Sequence, residues 1–574
     1  MQSANKEILL SFFQNNYQYE IPFFQRSYVW DEENWELLLE HLQDEVEAHT
    51  NNKNSEHFIG TIITKPLKHN NFNVQALQLI DGQQRLTTIA IMLKALADTA
   101  KGEYENLKKN LLSYIQFTDN RDEKYLRIEH SKTDAPYFQE VMKILADGEK
   151  VPLHDNSINQ AYHYFFDAFN DLTDAERDTY SQVLLRKLPV IAMFLNEEDD
   201  EQEIFDTINS LGVRLTISEL LKNFIFRDKD LQPHYEDLWY SIFEEEEEDI
   251  EFWNDKKTSG RIPRTNLELL LYCFLIVETG NEVRLDKLFN EYKNYLKNKT
   301  SKEKLEFLKR LKLTATTYRN FPTSKTINEI AFKETEKRVF HVIEFLEITT
   351  VYPLLLFIYA NVDDGDERLD ILEVLESYLV RRLVCKLTTK NYNRFFIQFV
   401  NDLKKEKTLD SEVFEEKLVE FTEDSNRFPN DADFKDAFYN NYLYNKFARE
   451  ILFIIALYKL DNAYSSVTKL SLESYSVEHM MPKKWEANWR VSGMNDDDKA
   501  KRNRKLKTMG NLTLVTQQLN SKMRNASWAK KRKLLDKYGM LTITTDYLKL
   551  DAWDEAAIDD RATDLADTAL KIWE

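Results

Sequence analysis

Only 11 glycines and 11 prolines punctuate 574 residues. Barrels and sandwiches turn every few residues and draw on Gly for positive φ and on Pro for a preset φ. A chain this poor in both is steered away from many short strands and towards helices. Its length exceeds what one core can organise, so two to four domains are expected. Hydrophobic residues at 43% are enough to build those interiors. The two cysteines, Cys273 and Cys385, are far apart and flanked by apolar residues. They can form neither a Cys-paired zinc site nor a disulfide framework, and are expected as small buried hydrophobes in a reducing compartment. The richest apolar runs, residues 269–277 and 351–360, are too short to span a bilayer, and the N-terminus lacks a signal core. A soluble, cytoplasmic protein without membrane contact is expected.

Hydrophobic periodicity divides the chain into residues 1–228, 229–445 and 446–574. In the first, residues 17–30 read as a strand leaving a turn, and Asp31 as the N-cap of a helix running to about Ala48. Residues 58–64 and 77–80 read as strands, and helical spacing follows Leu86. From about 103 to 230 the periods are helical, with a stop at Asn209–Gly212, a capping box at Thr216–Glu219 and Leu215 placed to staple it. Residues 229–445 form a helical middle. In the last region, residues 475–479 and 512–516 suit strands and 527–538 a basic helix, the order of a ββα finger.

That last region holds the densest chemistry. Glu478-His479 is followed by Asn511, Asn520, Lys522 and Arg524, then by Lys530-Lys531-Arg532. Hydrolysing a phosphodiester needs a base for water and a positive centre for the developing charge. A histidine fills the first role, and a hard cation held by Glu478 and Asn520 oxygens fills the second. Adjacent strand residues point to opposite faces, so Glu478 and His479 share a site only where the strand frays, as Pro482 suggests. The net charge of −21 opposes diffuse nucleic-acid binding. Between Lys499 and Lys537, however, thirteen Lys or Arg face a single acid, Asp536. A positive face confined to one domain suits DNA, with Lys522, Arg524, Lys530, Lys531 and Arg532 as phosphate contacts; a solvated helix surface is the bland alternative.

Near the N-terminus, Asp81-Gly82-Gln83-Gln84-Arg85 joins a strand to a helix. Gly82 lets a ligand approach the backbone, the helix start favours an anion, and Arg85 can clamp phosphate. No P-loop motif is present. On the residues alone, a structural turn and a binding site remain equally open.

Taken together, the motifs resemble the GmrSD-type modification-dependent restriction enzymes. Residues 21–30, the Asp81–Arg85 turn, residues 205–212 and 215–223 resemble the family's N-terminal half. Residues 477–482, 510–515, 520–525 and 553–558, with Arg561 and Ile572-Trp573, resemble its nuclease half, a His-Me finger (HNH). The resemblance implies a mainly α protein with α+β parts. Its N-terminal domain would be a ParB/sulfiredoxin-like α/β fold with added helices, and its C-terminal domain a ββα-metal nuclease. His479 would be the general base, Asn520 a metal ligand, Glu478 an acidic ligand, and Asn511 would order the hairpin or the base. The metal would be Mg²⁺ or Mn²⁺. Asp81, Gly82, Gln83, Gln84 and Arg85, with Gln25 and Arg26, would bind GTP or another NTP and hydrolyse it. The aromatics Phe23, Phe24, Tyr28 and Trp30 would serve either as core or as a sensor of DNA modification. Two departures stand out: Leu211 where the family usually has Arg, and Asn520 rather than His at the third position of the name-giving motif. The implied function is nucleotide-regulated cleavage of modified, double-stranded phage DNA by a monomer or homodimer. The competing readings are a DNA-binding switch without cleavage and an RNA-cutting toxin.

Overall fold

A short apolar run interrupted only by Gln78 makes Gln75–Asp81 a strand, and Gly82 then turns the chain at φ +95° into the helix Gln83–Asp98. This junction organises the first of two units, Met1–Arg227 and Asp228–Glu574. The computed structural model describes residues 3–574 except 23–24, 26, 54, 68–74, 103, 105, 119–121, 131–133, 145–149, 197–215, 260–261, 325–326, 464–468, 472, 490, 492 and 540. The motif at 205–212 and Leu215 lie outside the described residues, as do Phe23, Phe24 and Arg26.

The first unit is built on a mixed six-stranded sheet. Its strands are β1 (Ser3–Ile8), β2 (Tyr17–Glu20), β3 (Thr61–Pro66), β4 (Gln75–Asp81), β5 (Ile128–Glu129) and β6 (Pro189–Phe194), in the order β1-β6-β3-β4-β2-β5. β2 and β4 run parallel, β3 and β4 antiparallel with a register shift between Ile63 and Thr64. The unit's longer helices include α1 (Glu32–Thr50), α2 (Gln83–Asp98), α3 (Ser157–Asn170), α4 (Asp174–Lys187) and α5 (Ile217–Phe226). The side chains of Asp31, Thr173 and Thr216 close capping boxes at the starts of α1, α4 and α5. Every residue of α2 from Leu86 to Asp98 is buried, as a helix apolar on nearly all sides must be. Its polar members are partnered: Thr87 Oγ1 with His130 Nε2 at 2.9 Å, Thr88 Oγ1 with the Tyr28 hydroxyl at 2.7 Å, and Lys94 with Asp98.

Two sequence expectations need correction here. The strand read at 58–64 lies at Thr61–Pro66, and the stretch read as helical from 103 to 230 contains β5, β6 and a small hairpin at Gln116–Thr118 and Lys124–Leu126. Pro189–Phe194 is a short apolar run, which periodicity alone assigns to strand or buried helix equally well. Pairing with β1 on one side and β3 on the other makes it a strand.

The second unit is mostly helical. Long helices α6 (Asn266–Thr279), α7 (Thr335–Leu346), α8 (Gly365–Val384), α9 (Asp431–Asn440) and α10 (Asn445–Asp461) lead into a two-stranded ladder. β7 (Tyr475–His479) pairs antiparallel with β8 (Leu512–Thr516), Tyr475 opposite Thr516 and His479 opposite Leu512. Around it lie α11 (Asp496–Lys505), α12 (Gln517–Met523), α13 (Trp528–Tyr538) and α14 (Glu555–Ala569). The tail is tied to the helical part: Trp573 Nε1 donates to Glu376 Oε1 at 3.0 Å, and Arg381 Nε to the Trp573 carbonyl at 2.8 Å. Cys273 is buried and Cys385 partly so, both as free thiols. No described helix is long and apolar enough to cross a membrane.

Candidate active site

His479 ends β7, half-buried, and its imidazole makes no hydrogen bond to a described residue. Burial, with the charges of Lys483 and Lys531, pushes its pKa down to about 4, so it is neutral at pH 7. The chain beyond it is locked by Asn511, which is fully buried. Asn511 Oδ1 accepts from the Met481 amide at 2.8 Å and from Trp553 Nε1 at 3.1 Å. Its Nδ2 donates to the carbonyls of Met481 at 2.8 Å and Leu506 at 3.0 Å. With these bonds made inside the protein, the Asn511 side chain fixes the backbone at Met481, two residues past His479.

Asn520 lies on α12, a helix inserted directly after β8 and ahead of the basic helix expected to complete the finger. Its Nδ2 donates to Ser476 Oγ at 3.0 Å and to the Val477 carbonyl at 2.9 Å. Val477 is two residues before His479 and shares its face of the strand. Oδ1 has no described protein partner, which leaves one oxygen ligand open for a hard cation.

Glu478 and Lys531, expected from the sequence as a metal ligand and a phosphate contact, lie together in the interior. Glu478 faces away from His479 and pairs with the Lys531 ammonium, which also donates to the His479 carbonyl at 2.7 Å. The Lys531 side chain has no exposed surface, and the Glu478 carboxylate is engaged by it. Burial raises the Glu478 pKa despite the ammonium beside it, and burial lowers that of Lys531. Among the described residues no group of three or more His, Cys, Asp or Glu could hold a metal. A cation here would rest on Asn520 Oδ1, phosphate oxygens and water.

The basic run is also less uniform than its sequence. Arg502 pairs with Glu555 and Lys505 with Asp559, both acids on α14. Lys522, Arg524 and Lys530 are exposed, and Arg532 is partly so, 3.2 Å from Asp551. Arg524 has φ +40° and ψ −127°, a region that favours glycine. Sequence reasoning missed Lys483, an exposed cation four residues after His479, although the Pro482-Lys483-Lys484 turn was visible. It also missed the role of Arg561, fully buried, which donates to the carbonyls of Gly510 at 2.9 Å, Leu512 at 2.5 Å and Ile543 at 3.0 Å. Burial lowers its pKa to about 10, so it remains a cation that holds the start of β8.

In the first unit, Gly82 sits against β3. A Cβ there would lie 2.9 Å from Ile62 Cγ1 and 3.0 Å from the Thr61 carbonyl. Asp81 Oδ2 accepts from Thr61 Oγ1 at 3.1 Å and lies 3.8 Å from Arg85 Nη1. Arg85 Nη1 donates to the Thr61 carbonyl at 3.1 Å, and the guanidinium lies over Gly60, where a Cβ would fall 2.7 Å from Nε. Gln84 is committed to backbone: Oε1 accepts from the amides of Val29 at 2.9 Å and Trp30 at 3.3 Å, and Nε2 donates to the Ser27 carbonyl at 3.1 Å. Gln84 thus positions the 27–30 segment, while Gln25 Nε2 donates to the Leu79 carbonyl at 2.8 Å. Gln83, half-buried, opens α2, whose N-terminus has no side-chain cap and no acid in its first turn. Uncapped amides beside Arg85 favour an anion.

The family model described as GmrSD restriction endonuclease, N-terminal domain, matches residues 9–226, and that for the C-terminal domain of these enzymes matches residues 428–568. Together they take in more than half of the chain, in the order of the two motif groups. No curated protein matches it. Both matched domains are those of restriction endonucleases, whose substrate is DNA. With its site motifs falling inside both matched segments, the chain belongs to the GmrSD-type restriction endonuclease family.

Proposed function

We propose that the protein is a nucleotide-regulated, modification-dependent DNA endonuclease of anti-phage defence. In this reading residues 446–574 work as a His-Me finger, and the first unit as a ParB-like nucleotide-binding and sensing domain. The observation that carries it is the imidazole of His479 at a strand end, with no hydrogen bond to a described residue, and Asn520 bonded to the carbonyl two residues earlier.

His479 accepts the proton of the attacking water. Its low pKa keeps it unprotonated, and phosphates docking beside Lys483 offset the cationic field and raise its basicity as substrate arrives. Lys531 holds the His479 carbonyl and Asn511 the Met481 amide, which fixes the backbone on the C-terminal side of the imidazole. Lys483, Lys522, Arg524, Lys530 and Arg532 meet DNA phosphates. A Mg²⁺ or Mn²⁺ on Asn520 Oδ1 and substrate oxygens would supply positive charge for the developing phosphorane. GTP or another NTP would sit on the uncapped start of α2, with Arg85 on phosphate and Asp81 orienting Arg85. One finger cuts one strand, so a double-strand break calls for two chains or two encounters.

The test incubates the full chain with plasmid, modified phage DNA and RNA, with Mg²⁺ and with or without GTP. Cleavage confined to modified DNA, dependent on GTP and lost in His479→Ala with an unchanged melting temperature, is the expected outcome. Shifted but intact DNA would favour a binding switch, and cleavage of RNA alone a toxin. Wild-type cutting by His479→Ala overturns the catalytic assignment.

A further inference from the structure

The first unit holds a second concentration of positive charge, at the other end of its sheet from the Asp81–Arg85 turn. That turn follows the C-terminal end of β4, whereas this cleft includes Asn16, just before the N-terminal end of the parallel strand β2. The cleft measures about 850 Å³ and is lined by Lys108 and Lys109 of the helix Leu107–Ile115, by Lys124 and by Arg127. None of the fifteen described residues that line it is Asp or Glu, on a chain of net charge −21.

Arg127 forms part of the cleft wall and is only 3% exposed. Its Nε donates to the Tyr114 carbonyl at 2.8 Å, its Nη2 to the Ser113 carbonyl at 3.3 Å, and its guanidinium lies 5.0 Å from the centre of the Phe117 ring. Nη1 has no partner, and no described carboxylate reaches the group. Burial lowers its pKa to about 10, which still leaves it charged at neutral pH. A buried cation held by neutral carbonyls alone is costly, and an anion in the cleft would offset that cost. Tyr114 and Phe117 set aromatic surface among the cations, the pairing that suits a phosphate joined to a base. The volume falls in the range of small-molecule sites, about 300–1,000 Å³.

We propose that this cleft is a second anion-binding site, which takes the phosphate-ester groups of a nucleotide or of a nucleic-acid strand through Lys109 and Lys124, with the buried Arg127 guanidinium adding positive charge to the wall behind them. The proposal stands apart from the nuclease reading and from the Asp81–Arg85 turn.

The test uses the full chain carrying His479→Ala, to prevent cutting, and Arg85→Ala, to weaken the other nucleotide site. Fluorescence anisotropy follows a labelled 12-nucleotide single strand, the corresponding duplex and a fluorescent GTP analogue. Lys109→Glu and Lys124→Glu are each added to this background, with Lys53→Glu, an exposed lysine outside the cleft, as the charge control. Each cleft variant is expected to weaken binding about tenfold at low salt and to lower the slope of log K against log salt by about one for the strands. Lys53→Glu should change neither. An effect on both kinds of probe assigns the shared phosphate-ester chemistry, an effect on strands alone names nucleic acid, and one on GTP alone names the free nucleotide. Absence of binding in the background protein, or effects no larger than those of Lys53→Glu, overturns the proposal.

Discussion

Replacing Lys531 with methionine perturbs the interior behind His479 at a single point. The ammonium is enclosed, contacts the Glu478 carboxylate and donates to the His479 carbonyl. Glu478 is itself only 7% exposed. Methionine nearly keeps the length and volume of lysine, so the cavity contribution is small. What remains is a buried carboxylate without its counter-charge, and breaking such a pair from one side costs about 3–5 kcal/mol. A unit as long as Asp228–Glu574 unfolds with an entropy of about 0.7 kcal/mol/K, so its transition should fall by about 4–7 °C. Differential scanning calorimetry reads that transition. In the variant, Glu478 has a folded pKa above its unfolded one. The loss is therefore complete above the folded value and fades as pH falls through the ordinary carboxylate range, so it should be larger at pH 8 than at pH 5. Adding Glu478→Met removes the stranded charge and should restore most of the stability. A fall of less than about 1.5 °C at pH 8, about 1 kcal/mol by the same entropy, would refute the reasoning. So would a double variant no more stable than the single one.

Three further outcomes are expected. In Gly510→Ala the new Cβ would lie 2.1 Å from the Ile558 carbonyl and 3.0 Å from Ala562 Cβ. Helix α14 would have to move and loosen Arg561, at a cost of about 3 kcal/mol or more, visible as an early thermal transition. Arg524→Gly relieves a backbone at φ +40° and should stabilise the second unit by about 1 kcal/mol while weakening DNA binding; a drop in melting temperature would contradict the first part. The depressed pKa of His479, about 4 against an ordinary 6.5, means that the unfolded chain takes up the proton first as pH falls. Stability should then decline by about 1.4 kcal/mol per pH unit between those values, and His479→Gln should remove that part of the slope. Equal slopes in parent and variant in urea titrations would contradict it.

Legibility in this sequence follows the range over which each interaction acts. The N-cap at Asp31 and the capping box at Thr216 were visible because a side chain and the amide three residues on are neighbours in any helix. The Asp81–Arg85 turn was visible for the same reason, as strand, glycine and helix start are contiguous. Pro189–Phe194 was not, because only partners 130 and more residues away make that apolar run a strand. In the nuclease segment the sequence by itself determined where the imidazole stands, at the end of a strand with an asparagine-bearing hairpin downstream. Tertiary structure decided the company it keeps. Glu478 and Lys531, 53 residues apart and read separately as a metal ligand and a phosphate contact, pair with each other. Arg502 and Lys505 likewise leave the basic face for acids on α14. Local propensity acts over a few residues along the chain, whereas burial makes an unpartnered charge so costly that the packing of distant segments dictates which side chains pair and which remain free for substrate.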